Sequence, residues 1–73
     1  FGAGILYVVP NPASHMISIK GLNGKNNMIM IRNMLGRITY YGHKKEIDIS
    51  GFLPGVYFVN AGLMKTKFIV NTN

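Results

Sequence analysis

The 73-residue chain has no cysteine, no tryptophan and only two acids, Glu46 and Asp48. Without cysteine there is neither a disulfide framework nor a zinc ribbon, and this absence suits an exported protein as well as a cytosolic one. The longest apolar run, Ile5 to Pro10, is far shorter than the roughly 20 residues of a membrane-spanning helix, so no transmembrane segment is expected. Nor does any stretch hold the i, i+3, i+4, i+7 apolar repeat over the roughly 10–12 residues of a helix. Charged residues make up 14% and hydrophobic residues 48%, which excludes a disordered tail. There is room for one small domain. Such a domain buries only about 60% of its unfolded surface and has little volume for a deep catalytic cleft. The chain starts at Phe1 and not at Met, so it reads as a piece of a longer polypeptide, with any signal peptide upstream.

What is abundant is positive charge. Eight Lys and Arg give a net charge of +6. Lys20, Lys25, Arg32, Arg37, Lys44, Lys45, Lys65 and Lys67 are dispersed, with no run longer than two, and read as a solvated face. Tyr40 and Tyr41 beside His43, Lys44 and Lys45 imitate a base-stacking platform. Adjacent strand residues face opposite sides, however, and no RNP-like run of alternating aromatics is present. No specific nucleic-acid partner is expected, and non-specific binding should fade between about 50 and 200 mM salt.

Catalytic constellations are nearly absent. Ser14 and His15 are neighbours, but as adjacent strand residues they are expected to face apart, with no third group to orient the imidazole. Glu46 and Asp48 share a strand face about 6–7 Å apart, beside Lys44 and Lys45 and with core behind them, which reads as a solvated polar face. A metal would have to recruit His15, His43, Glu46 and Asp48 without ligand-like spacing. No glycine-rich phosphate loop opens a helix. The sequence therefore implies no enzyme, no metal and no cofactor.

A short apolar run followed by Gly, Asn or Pro recurs along the chain. The pattern predicts seven strands, at about 4–9, 15–20, 28–33, 37–41, 46–49, 56–61 and 65–70. Pro10-Asn11-Pro12 cannot continue a ladder, because each proline lacks a donor and restricts the residue before it. Asn23-Gly24-Lys25-Asn26-Asn27 suits a hairpin loop. Asn33-Met34-Leu35-Gly36 predicts a tight turn with Gly36 in the left-handed position. Gly42, Phe52-Leu53-Pro54-Gly55 and Gly62 close the remaining connections. The expected fold is all-β: a seven-stranded antiparallel immunoglobulin-like β-sandwich.

Alternation assigns the faces. Ile17 and Ile19 oppose Met16, Ser18 and Lys20. Ile29 and Ile31 oppose Met28, Met30 and Arg32, and Ile47 and Ile49 oppose Glu46, Asp48 and Ser50. The last two strands, around Val56-Tyr57-Phe58-Val59 and Phe68-Ile69-Val70, are apolar on both faces, so something should cover one of them. Outward methionines fit the same idea, although they are also ordinary on a surface.

The punctuation carries a resemblance. Val9-Pro10-Asn11-Pro12-Ala13-Ser14 precedes Ile17-Ser18-Ile19. Then come Ile29 to Gly36, Ile47-Asp48-Ile49-Ser50-Gly51-Phe52-Leu53-Pro54-Gly55-Val56-Tyr57-Phe58-Val59, and Lys67-Phe68-Ile69-Val70. In this order and spacing, from about Tyr7 to Val70, the set resembles the type A C-terminal sorting domain of the type IX (Por) secretion system. The resemblance implies an Ig-like, non-enzymatic signal at the C-terminus of a cargo protein in Bacteroidetes-type bacteria. The implied partners are the N-terminally fused cargo, the outer-membrane translocon and a sortase-like surface protease that usually removes the domain. The implied route runs through the periplasm to the cell surface or the medium. Residues 1–6 are then the remnant of an upstream linker and residues 7–73 the sorting domain.

The matching positions are Pro10, Asn11 and Pro12 for the first turn, Asn33 and Gly36 for the Asn-x-x-Gly turn, and Gly55 with Tyr57 for Gly-x-Tyr. Lys65, Lys67, Phe68, Ile69 and Val70 match the terminal strand. His15 stands where many members carry an acid, Pro54 directly precedes Gly55, and Asn71-Thr72-Asn73 follows the last strand. A terminal edge strand is also open to β-augmentation, with Phe68 and Val70 read as core. The other reading is an Ig-like accessory or adhesion module that binds carbohydrate or a protein surface.

Overall fold

Alternating β-branched residues need two pleated surfaces facing one another, and the chain builds them. A computed structural model describes residues 5–22 and 28–71. Among these residues are seven strands: β1 (Tyr7–Val9), β2 (Met16–Lys20), β3 (Ile29–Arg32), β4 (Ile38–Gly42), β5 (Glu46–Asp48), β6 (Gly55–Ala61) and β7 (Met64–Val70). They form two sheets with orders β1-β2-β5 and β4-β3-β6-β7, every strand pair antiparallel. This is the all-β, Ig-like sandwich that the strand pattern predicts.

The core lies between the sheets. Ile17 and Ile19 from β2, Ile29 and Ile31 from β3, and Ile47 beside Ile49 meet Tyr57, Val59, Phe68 and Val70, all buried. No described polar or charged residue is buried. The interior is thus held by apolar contact, at about 25 cal/mol per Å² removed from water. Leu6 also belongs to this core.

Several local expectations need correction. β1 begins at Tyr7, since Ile5 and Leu6 precede the ladder; Gly4 lies outside the described residues. β2 begins at Met16, so Ser14 and His15 are loop residues. Gly42 does not close a connection: it ends β4, paired with Ile29. The segment Asn23–Asn27 lies outside the described residues, but β2 and β3 belong to different sheets. The two strands therefore do not pair as a hairpin. Hairpins join β3 to β4 through the Asn33–Gly36 turn and β6 to β7 through Gly62 and Leu63, with Ala61 opposite Met64.

Candidate functional site

Several motif residues have a structural task that can be traced to their chemistry. The Asn33 amide oxygen accepts hydrogen bonds from the backbone N–H groups of Leu35 (2.9 Å) and Arg37 (3.0 Å). The Gly36 N–H donates to the Asn33 carbonyl at 2.9 Å, and the Asn33 N–H to the Arg37 carbonyl at 2.9 Å. One asparagine thereby satisfies the backbone of the β3–β4 turn. Gly36 has φ 83°, the left-handed value expected of it, and Gly55 has φ 147°. Tyr57 is buried, with its ring 5.1 Å from Phe52 and 5.7 Å from Phe68 between centroids. Its hydroxyl donates to the Leu53 carbonyl at 2.6 Å, which pins the β5–β6 connection in the manner of a tyrosine corner.

The first turn motif reaches the last strand. The Ile69 N–H donates to the Asn11 amide oxygen at 3.0 Å, across 58 residues of sequence. The Ala13 N–H donates to the Ile69 carbonyl, and the Asn71 N–H to the Ala13 carbonyl, each at 2.8 Å. Sequence reasoning missed this link, because nothing local to Pro10-Asn11-Pro12 names its partner. Pro10 and Pro12 are exposed and flank the contact.

These bonds also show which backbone groups of β7 face away from β6. In an antiparallel ladder, residues alternate between pairs that exchange hydrogen bonds and pairs that do not. Ile69 bonds outward, so Lys67 and Lys65, two and four residues before it, turn their N–H and C=O groups outward as well. Among the described residues no backbone group pairs with them. Both lysine side chains are exposed, opposite the buried Phe68. The terminal strand is therefore an edge closed at Ile69 and open at Lys65 and Lys67. Phe68 and Val70 are core, and Ile69 points its side chain to solvent.

On the other sheet the structure corrects one expectation about chemistry. Ser14 Oγ and His15 Nδ1 share a hydrogen bond of 2.9 Å, because both residues sit in the loop before β2, where strand alternation does not apply. The Asp48 carboxyl is held below its ordinary pKa first by the hydrogen bond from the Ser50 backbone N–H (2.9 Å), then by the Ser50 side chain, and last by the nearby His15. The serine engages Nδ1, the nitrogen that a triad reserves for its orienting carboxylate, and His15 and Asp48 stand on the wet surface with Ser14 half-buried. A cleft of about 550 Å³ runs past Asn33, Thr39, Asp48, Phe52 and Tyr57. Its Asn33 and Asp48 Oδ1 atoms are already engaged with their own turns.

The family model for the secretion system C-terminal sorting domain matches residues 7–71. No curated protein and no solved structure matches the chain. The family match spans every strand from β1 to β7 together with the three motif turns and the terminal edge. The chain belongs to the family of type IX secretion system C-terminal sorting domains.

Proposed function

We propose that this domain is the address by which a folded cargo, fused on its N-terminal side, is recognised in the periplasm and passed through the type IX outer-membrane translocon. A sortase-like surface protease then cuts upstream of the strands, within or before residues 1–6, and leaves the cargo at the cell surface or in the medium. The observation that carries this reading is the family match across the whole sandwich. The geometry supports a division of labour among the motif residues. Pro10, Asn11 and Pro12, Asn33 and Gly36, and Gly55 with Tyr57 hold the shape. Lys65 and Lys67, with open backbone groups on a regular edge, are what the machinery reads by strand addition and charge. Phe68 and Val70 anchor that edge from within, and Ile69 closes its far end. The role asks the domain for rigidity and a fixed edge, and asks it for no catalysis.

The test fuses residues 1–73 to a fluorescent protein delivered to the periplasm of a type IX-competent strain, with a translocon mutant as control. Fluorescence at the surface or in the medium of the competent strain alone is the expected result. Retention in both strains would overturn the proposal and favour an Ig-like accessory or adhesion module.

A further inference from the structure

The four-stranded sheet turns one face to the core and the other to solvent, and its register orders the outward side chains in rows. One row runs Tyr41, Met30, Asn60, Lys65, and the next Ile38, Arg32, Phe58, Lys67; Val56 stands beside Ile69 in a third. Ile38 and Tyr41 are 55% and 59% exposed, Phe58 and Ile69 43% and 44%. Apolar ground thus lies open with three cations among it and no acid. Both acids of the chain sit on β5 in the other sheet. There the outward rows pair Tyr7 with Lys20, Val9 with Ser18 and Glu46, and Met16 with Asp48.

We propose that the outer face of the four-stranded sheet seats the domain on an anionic lipid bilayer surface. A second copy docked through the same face does not fit there, because Arg32, Lys65 and Lys67 would meet their own kind. Apart from the three cations, the rows offer a protein partner only Asn60 and the Tyr41 hydroxyl for directional polar contacts. Non-directional chemistry is what the face offers. Long cationic stems lie along apolar neighbours with their heads free to reach outward. Aromatic and aliphatic side chains among them match the boundary between headgroups and acyl chains. Three uncompensated cations match anionic headgroups. The face shares Lys65 and Lys67 with the β7 edge, but its test reads vesicle partition and not export.

Co-sedimentation of the 73-residue chain with lipid vesicles tests it. Binding is expected to vesicles of phosphatidylcholine mixed with phosphatidylglycerol, absent with phosphatidylcholine alone, and weakened by added salt. Arg32→Gln combined with Lys67→Gln is expected to lower the partition about 30-fold, from the contribution of two cations near a charged surface. The chain has no tryptophan, so an introduced one reports which face is seated. Tyr41→Trp emission should shift to the blue with anionic vesicles, and that of Tyr7→Trp, on the opposite sheet, should not. Circular dichroism verifies that each variant is folded, and Ile38→Trp is the second reporter should Tyr41→Trp unfold. Equal binding to both vesicle types, a shift at Tyr7→Trp alone, or capture by polyglutamate without binding to vesicles would overturn the proposal.

Discussion

β4 and β7 border the same sheet, but they end it in different ways. On β4 the register shifts between Ile31 and Arg32, which pair with Tyr40 and Ile38. Thr39 is the extra residue, and its hydroxyl donates to the Ile31 carbonyl at 3.2 Å. Such a bulge twists an edge and breaks its row of donors and acceptors, which blunts it against added strands. β7 has no such interruption and pairs in continuous register from Met64 to Val70. It is managed by other means: Asn11 and Ala13 close its far end, and lysines guard the rest. A bulge works against strand addition along its own edge, whereas a cap and two lysines leave a short stretch available to a partner that matches its charge and register.

The largest effect expected on stability comes from the inner side of β7. Phe68 is fully buried and stacks on Tyr57, so Phe68→Ala should cost about 3–5 kcal/mol by lost transfer and a cavity. In a domain with few kcal/mol to spare, this should abolish cooperative thermal unfolding near room temperature. Next come the turns that set the strands in register. Gly36 and Gly55 each have open space where a Cβ would stand, so a side chain there meets backbone strain and no clash. Gly36→Val and Gly55→Val should each destabilise by about 1–3 kcal/mol. Gly51→Val, at a glycine without positive φ, should be nearly neutral. Equal melting temperatures for the three would break the turn assignment.

How much of this was legible depends on how far apart the cause and its effect lie in the chain. Ile17 and Ile19, or Ile47 and Ile49, reveal their buried face within a few residues, because strand alternation is local. Gly36 is equally readable, since its turn is closed by Asn33 only three positions away. The partition into sheets was not readable at β2 and β3. An Asn- and Gly-rich connection looks the same whether it reverses a hairpin or joins strands of different sheets. Asn11 is the same lesson at the site, because its partner Ile69 becomes a neighbour only when the sandwich closes. Gly21 went unnoticed for this reason too. It has φ 83°, and a Cβ there would fall inside the Ile5 carbonyl oxygen, a constraint imposed by a segment sixteen residues earlier in sequence.

Asn11→Ala tests the closed end of the β7 edge. It removes the acceptor of the Ile69 N–H but leaves the β6 ladder intact. The cost should be about 0.5–1.5 kcal/mol, because the freed donor can turn to water. Amide hydrogen exchange should accelerate at Ile69 and stay slow at Phe68. Unchanged exchange at Ile69 would show that Asn11 does not cap the edge in solution.

The smallest effect on stability should accompany a large effect on export. Lys65 and Lys67 are exposed and lie directly opposite Asn60 and Phe58 of β6, clear of the core. Lys65→Gln with Lys67→Gln should therefore change stability by no more than about 0.5 kcal/mol. Glutamine keeps the outward N–H and C=O of both residues, so the variant removes charge and leaves the edge in place. If the open stretch of β7 is read by charge as well as by strand addition, the double variant should accumulate in the periplasm as a folded, uncleaved fusion. Lys67→Pro separates the two contributions. It deletes an outward donor that makes no bond to β6, and unlike the glutamines it blocks strand pairing at that point. Export lost with proline but kept with glutamine would assign recognition to the backbone alone. Export kept in both variants, each shown to be folded by its melting curve, would remove the β7 edge from the address.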